Sequence, residues 1–117
     1  MRQIDSIEFR TKIFDYETAT EWKYLGDKPC VISYTAQWCY PCKSMYPIYD
    51  ELDKELGDKI NFYRIDTESD SELSPIFKVR SIPTFIFIPL GGQPHIANGT
   101  MSKANFLKII KEIFKIE

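Results

Sequence analysis

The alternation of strand-like and helical segments along the 117 residues predicts an α/β fold: a mixed five-stranded sheet between two helical layers, with about four helices. Three observations carry this reading. Cys30 to Thr35 is strongly apolar, as a parallel strand covered on both faces must be. Thr84-Phe85-Ile86-Phe87-Ile88 is a second strand, and Gly91-Gly92 marks a hairpin turn into Gln93 to Ala97. Phe106, Leu107, Ile110, Ile113 and Phe114 recur at helical spacing. The expected order is β-α-β-α-β-α-β-β-α, one domain over residues 1–117.

Ile4, Ile7 and Phe9 mark a short first strand. Asp15 or Thr18 caps a first helix that includes Trp22 and Tyr24 and ends near Gly26; Pro29 closes the next turn. The second helix is expected from Cys39 to Leu56, with Gly57 as its stop. Pro41 suits its first turn, whereas Pro47 lies inside and predicts a kink. Ile48, Leu52 and Leu56 then form one apolar stripe. Ile60 to Asp66 reads as a strand and Ser71 to Phe77 as a short helix. Ser102 is the N-cap of a last helix to Ile116.

At 44% hydrophobic and 15% aromatic residues the chain can build a core. A net charge of −2 with mixed signs does not suit a nucleic-acid surface. No apolar run has the length of a membrane span. The opening Met1-Arg2-Gln3-Ile4-Asp5 lacks the charged and apolar regions of a signal peptide. The expectation is a cytoplasmic monomer without membrane insertion. An extracytoplasmic location is the alternative if a leader has been removed. No Gly-rich phosphate loop is present, so no cofactor is expected.

Trp38-Cys39-Tyr40-Pro41-Cys42-Lys43 carries the chemistry. Two cysteines with two residues between them, after a strand and opening a helix, read as a redox pair. The spacing puts both sulfurs on one turn, within disulfide reach. The helix start favours a thiolate through its free N–H groups and dipole. The competing reading, half of a zinc site, needs four ligands, and only Cys30 and His95 remain. Cys30 reads as a small core residue and His95 as a surface residue of the hairpin. Asp66, Glu68, Asp70 and Glu72 alternate, but they lack the glycine and distal glutamate of a calcium loop. They read as a solvated loop with helix-capping acids. Asn98-Gly99-Thr100 matches a glycosylation triplet of a kind common by chance.

On that W-C-x-P-C-K run, on Ile82-Pro83-Thr84 before a strand, and on Ala36, Gly92 and Gly99, the chain resembles the thioredoxin family. The element order agrees over nearly the whole length. The resemblance implies the thioredoxin fold and a cis Pro83 beside the disulfide. It implies a thiol–disulfide oxidoreductase that reduces protein disulfides. Cys39 is then the nucleophile and more exposed sulfur, and Cys42 resolves the mixed disulfide. Trp38 shields the site, flanked by Tyr40, Pro41 and Lys43. Ile82, Pro83, Thr84 and Gly99 form the substrate-binding edge, and Ile82 and Pro83 present backbone to an extended partner segment. The implied partners are disulfide-containing proteins and an electron-donating reductase, a flavoprotein or a membrane thiol donor.

Three positions depart from the family pattern. Tyr40 replaces the usual glycine and enlarges the rim. Ser33 stands six residues before Cys39, where the family has a buried aspartate that helps deprotonate the second cysteine. Phe62 takes the place of the lysine that pairs with that aspartate. Resolution by Cys42 is therefore expected to be slower, or faster at higher pH. Two alternatives remain open: an extracytoplasmic oxidant or isomerase, and a redox-inactive module that docks partners at Ile82-Pro83.

Overall fold

The structure is a computed structural model and describes residues 1–116. Five strands form one sheet in the order β1-β3-β2-β4-β5. They are β1 Arg2–Gln3, β2 Cys30–Thr35, β3 Asn61–Asp66, β4 Thr84–Ile88 and β5 His95–Asn98. The β1–β3 and β3–β2 pairs are parallel, and β2–β4 and β4–β5 are antiparallel. Three α-helices, α1 Ser6–Lys12, α2 Tyr40–Leu56 and α3 Lys103–Phe114, accompany it. The expected short helix at 71–77 is a pair of single 3-10 turns, Ser71–Leu73 and Pro75–Phe77. Pro75 opens the second turn, and Lys78, with a left-handed φ of 56°, ends it.

β2 is central, and all six of its residues are buried. Its side chains alternate between two cores. Ile32 and Tyr34 join Phe9, Ile13, Ile65 and Ile86 on one face. Val31 joins Tyr49, Leu52, Phe62, Phe85 and Phe106 on the other. Each such side chain contributes about 1.5–3 kcal/mol over leaving it in water. The Tyr49 hydroxyl donates toward the carbonyls of Val31 (2.8 Å) and Tyr63 (2.6 Å), anchoring α2 to the sheet.

The first thirty residues depart most from expectation. The strand expected at Ile4 to Phe9 is helix α1, and β1 precedes it. The Asp5 carboxylate accepts the Glu8 N–H at 2.8 Å, a side-chain N-cap. Phe9 and Ile13, four apart, are fully buried while Ile7 is 64% exposed, a helical rather than an alternating pattern. The helix expected between Asp15 and Gly26 does not form. One turn closes, with Ala19 N–H on the Asp15 carbonyl and Thr18 Oγ1 on the Asp15 carboxylate, and stops there. Trp22 is held instead by tertiary contacts. Its ring lies 4.8 Å from that of Phe14, and its indole N–H donates to the Gly92 carbonyl at 3.0 Å. These contacts fix an irregular path that local periodicity does not encode.

Elsewhere the boundaries move little. α2 runs unbroken across Pro47. Gly57 is its C-cap, but with a right-handed φ of −63°. The glycine serves space rather than handedness, because a Cβ there would stand 2.5 Å from the Asp53 carbonyl oxygen. Gly91, with φ of 70°, makes the hairpin turn. The Ser102 hydroxyl accepts the Asn105 N–H at 3.1 Å and starts α3.

Cys30 is a core residue, as expected. Burial pushes its thiol up to about 12. Burial likewise raises Tyr34 and Tyr49. These groups fold uncharged, and the unfolded chain gives up their protons more easily. Their contribution is therefore intact below the free-thiol pKa of about 8.5 and fades as pH rises toward 12. The urea midpoint is expected to be flat from about pH 7 to 8 and to fall steadily above about pH 9. A Cys30→Ala variant should show a shallower alkaline fall.

Candidate active site

β2 ends at Thr35, and a tight turn follows in which Cys39 N–H donates to the Ala36 carbonyl at 3.1 Å. That turn aims the chain into α2. Cys39 has extended backbone (φ −86°, ψ 104°) and is the N-cap. Its sulfur accepts the Cys42 N–H at 3.2 Å. Cys39 and Cys42 are disulfide-bonded, with Cα atoms 5.3 Å apart. Pro41, inside the first turn, has no N–H to leave unpaired.

Both cysteines are nearly covered, at 3% for Cys39 and 1% for Cys42. The expected difference in exposure is thus small in the oxidised form. With Ala36 they form an apolar cluster closed by Tyr46 and Ile82. Tyr40 projects outward, 83% exposed, with the Lys43 ammonium 5.5 Å from its ring centroid.

Trp38 directly precedes Cys39 in the turn between β2 and α2. It stands 64% exposed at the rim, and its indole N–H donates to the Glu68 carboxylate. Glu68 is the site residue that sequence reading missed. The other loop acids also have specific partners. Asp66 accepts the N–H groups of Glu68 (2.8 Å) and Ser69 (3.3 Å). Asp70 accepts the Ser6 N–H at 3.2 Å, and Glu72 accepts the Tyr16 hydroxyl at 3.1 Å. The expectation of helix-capping acids is corrected: no acidic side chain caps either 3-10 turn. The available signal was topological. β2 and β3 are parallel neighbours, so the loops leaving them share one edge of the sheet.

The Ile82–Pro83 peptide bond is cis. Ile82 packs on the cysteine cluster. The Pro83 carbonyl accepts the Gly99 N–H at 2.8 Å, and Gly99 has a φ of 86°. Thr84 is fully buried, its hydroxyl 2.6 Å from the Ser81 carbonyl and 3.0 Å from Asn98 Oδ1. Thr84 and Gly99 therefore fix the loop from behind. Among the described residues, no hydrogen bond engages the Ile82 N–H or carbonyl. A groove of about 310 Å³ runs past Ile82 between Trp38, Thr67, Val79 and Arg80.

Ser33 is 6% exposed, in register with Arg64 on β3 and Phe85 on β4. Phe62 lies in the apolar core opposite Val31. The cation paired with position 33 is thus Arg64, two residues along β3 from where the resemblance placed it. Thr35 and Tyr46 share a hydroxyl hydrogen bond of 2.9 Å. His95 is exposed on β5. Among the described residues, no cluster of His, Cys, Asp or Glu could hold a metal ion.

The Trp38–Glu68 bond ties the redox loop to the β3 loop. Glu68→Ala in a Trp22→Phe background should lower the steady-state fluorescence anisotropy of Trp38. Glu68→Gln, which keeps an acceptor, should not. Equal values for both would show that the bond does not hold the indole.

The thioredoxin family model matches residues 7–112. A thioredoxin of Borreliella burgdorferi is 39% identical over 107 residues, which cover 92% of each chain. A thioredoxin of Rickettsia typhi is 34% identical over 87 residues, 74% of this chain and 83% of that one. The chloroplastic thioredoxin Y of Oryza sativa is 31% identical over 91 residues, 78% of this chain but 54% of its own length. In fold, the chain is similar to a crystal structure of chloroplastic thioredoxin z. The TM-score is 0.79 at 19% identity, covering 97% of this chain and 93% of that one. No helix among the described residues is long and apolar enough to cross a membrane. The chain belongs to the thioredoxin family of thiol–disulfide oxidoreductases.

Proposed function

We propose that the chain works as a single thioredoxin domain that reduces protein disulfides, with Cys39 as nucleophile and Cys42 as resolving thiol. One observation carries this reading: the Cys39 sulfur is the N-cap of α2 and accepts the Cys42 N–H at 3.2 Å. A thiolate there keeps that donor and gains from the positive end of the helix. Cys39 attacks one sulfur of the partner disulfide, and the other leaves as a thiolate. Cys42 then attacks Cys39, releases the second partner sulfur, and closes the Cys39–Cys42 disulfide. Two electrons pass to the partner, and a separate reductase must return them. Ile82 supplies backbone to the partner segment. Pro83, held by Thr84 and Gly99, fixes that edge, and Trp38, Tyr40, Pro41 and Lys43 shape the rim. A reducing role fits the cytoplasm, where thiols are kept reduced.

Cys42→Ser should trap a mixed disulfide with a disulfide-bonded reporter protein, and Cys39→Ser should neither trap it nor reduce it. Trapping by Cys39→Ser alone would reverse the assignment. The pair's potential decides direction: a value near −270 mV fits a reductase, and one near −180 mV would make the protein an oxidant or isomerase, about 4 kcal/mol apart.

Ser33 gives Cys42 no buried carboxylate. Ser33→Asp, beside Arg64, should raise turnover near pH 7 several-fold. Unchanged or lower turnover in a folded variant would show that a carboxylate at 33 is not limiting.

A further inference from the structure

Tyr46 brings a hydroxyl-bearing side chain to the cysteine cluster. Cys42 is 1% exposed and is packed with Ala36, Cys39, Ile82 and Tyr46. Ala36 and Ile82 carry no polar side-chain atom. Tyr46 lies one helical turn beyond Cys42, and its hydroxyl is 2.9 Å from Thr35 Oγ1. Thr35 and Tyr46 both line a polar cleft of about 460 Å³ between α2 and the sheet. The charged groups facing this cleft are Lys43 from α2 and Arg64 and Asp66 from β3; Gln3 and Gln37 complete it. Asp66 is its one carboxylate and stands in register opposite Thr35. Asp66 Oδ1 is engaged by the Glu68 and Ser69 N–H groups, whereas Oδ2 has no partner among the described residues.

We propose that this cleft is the proton outlet of Cys42, with Thr35 and Tyr46 as positioning residues and Asp66 as the terminal acceptor. This rests on the reading that Cys42 resolves the mixed disulfide. The thiol proton of Cys42 passes along the Tyr46–Thr35 hydroxyl pair and cleft water to the Asp66 carboxylate. The Cys42 thiolate attacks the Cys39 sulfur, and the bond from Cys39 to the partner breaks. The partner sulfur leaves as a thiolate and takes a proton from solvent, to which Asp66 returns its own. The cleft is wide enough for several waters, each needing about 30 Å³. Ser33 contributes a hydroxyl, a poor base, beside a cation. Asp66 thus does from the cleft what a carboxylate at position 33 would do directly.

Stopped-flow reaction of the reduced chain with dithiobis-nitrobenzoate tests this. Attack by Cys39 releases one thionitrobenzoate in a bimolecular phase, and attack by Cys42 releases the second in a unimolecular phase. Cys42→Ser must abolish the second phase; if that phase persists, the resolving role itself fails, independently of the outlet. Asp66→Asn keeps an Oδ1 acceptor for Glu68 and Ser69, so the loop turn survives while the proton acceptor is lost. At pH 7 this variant should slow the second phase roughly tenfold, less than the hundredfold or more of a fully lost general base because water can substitute. The deficit should close by about pH 9, where hydroxide takes the proton. Thr35→Val should behave alike and Thr35→Ser should restore the rate; if Thr35→Val does not fold, Asp66→Asn decides alone. An unchanged second phase at pH 7 in Asp66→Asn, or equal slowing at every pH, would overturn the outlet.

Discussion

The structure depends on β2 being covered on both faces. A strand with all six residues buried cannot shift register without moving every side chain into the wrong core. It is held between parallel β3 and antiparallel β4 over its length. The redox motif leaves the end of this strand after one turn, so the sulfurs inherit the positional rigidity of the core. Tyr49 adds a second constraint by tying the middle of α2 to the β2 and β3 carbonyls. A strand end and a helix start, each fixed by packing, set the distance between the two cysteines.

Two opposed terms act on these sulfurs. Burial disfavours either thiolate, and the helix terminus favours the one at the N-cap. A surface helix end gives a charge typically 0.3–1 kcal/mol, rising to about 2 in partly buried geometry. Desolvation of a fully buried group can shift its pKa by several units, as at Cys30, where nothing opposes it strongly. Cys39 has the helix end to compensate. Cys42, one turn inside, depends on whatever polar path reaches it, and the family's usual carboxylate is absent at Ser33.

What the sequence revealed, and what it hid, follows the range of the interactions. The W-C-x-P-C-K run, the β2 and β4 apolar runs and the Ser102 cap are local signals, and each lies where it was read. The Ile82-Pro83-Thr84 segment was legible only by family resemblance, since its contacts to Gly99 and the cysteine cluster are distant in sequence. The first thirty residues misled because Ile4, Ile7 and Phe9 fit alternation nearly as well as a helix, and Asp5 as a cap decided the matter. Trp22 and Tyr24 looked helical but are placed by Phe14 and by carbonyls of Gly92 and Lys28. Glu68 was hidden for the same reason: only the sheet topology brings it to Trp38.

The Cys39 sulfur serves at once as reacting atom and as the cap of α2. Most helix caps are spectators to chemistry, and most nucleophiles can be freed without unwinding anything. Here a sulfur attached to Cys39 remains at the helix terminus as thiolate, mixed disulfide or internal disulfide. The first turn of α2 has no need to refold between these states. The scaffold can stay still through a full catalytic cycle, and its pace is left to sulfur exchange, proton movement and the arrival of partners.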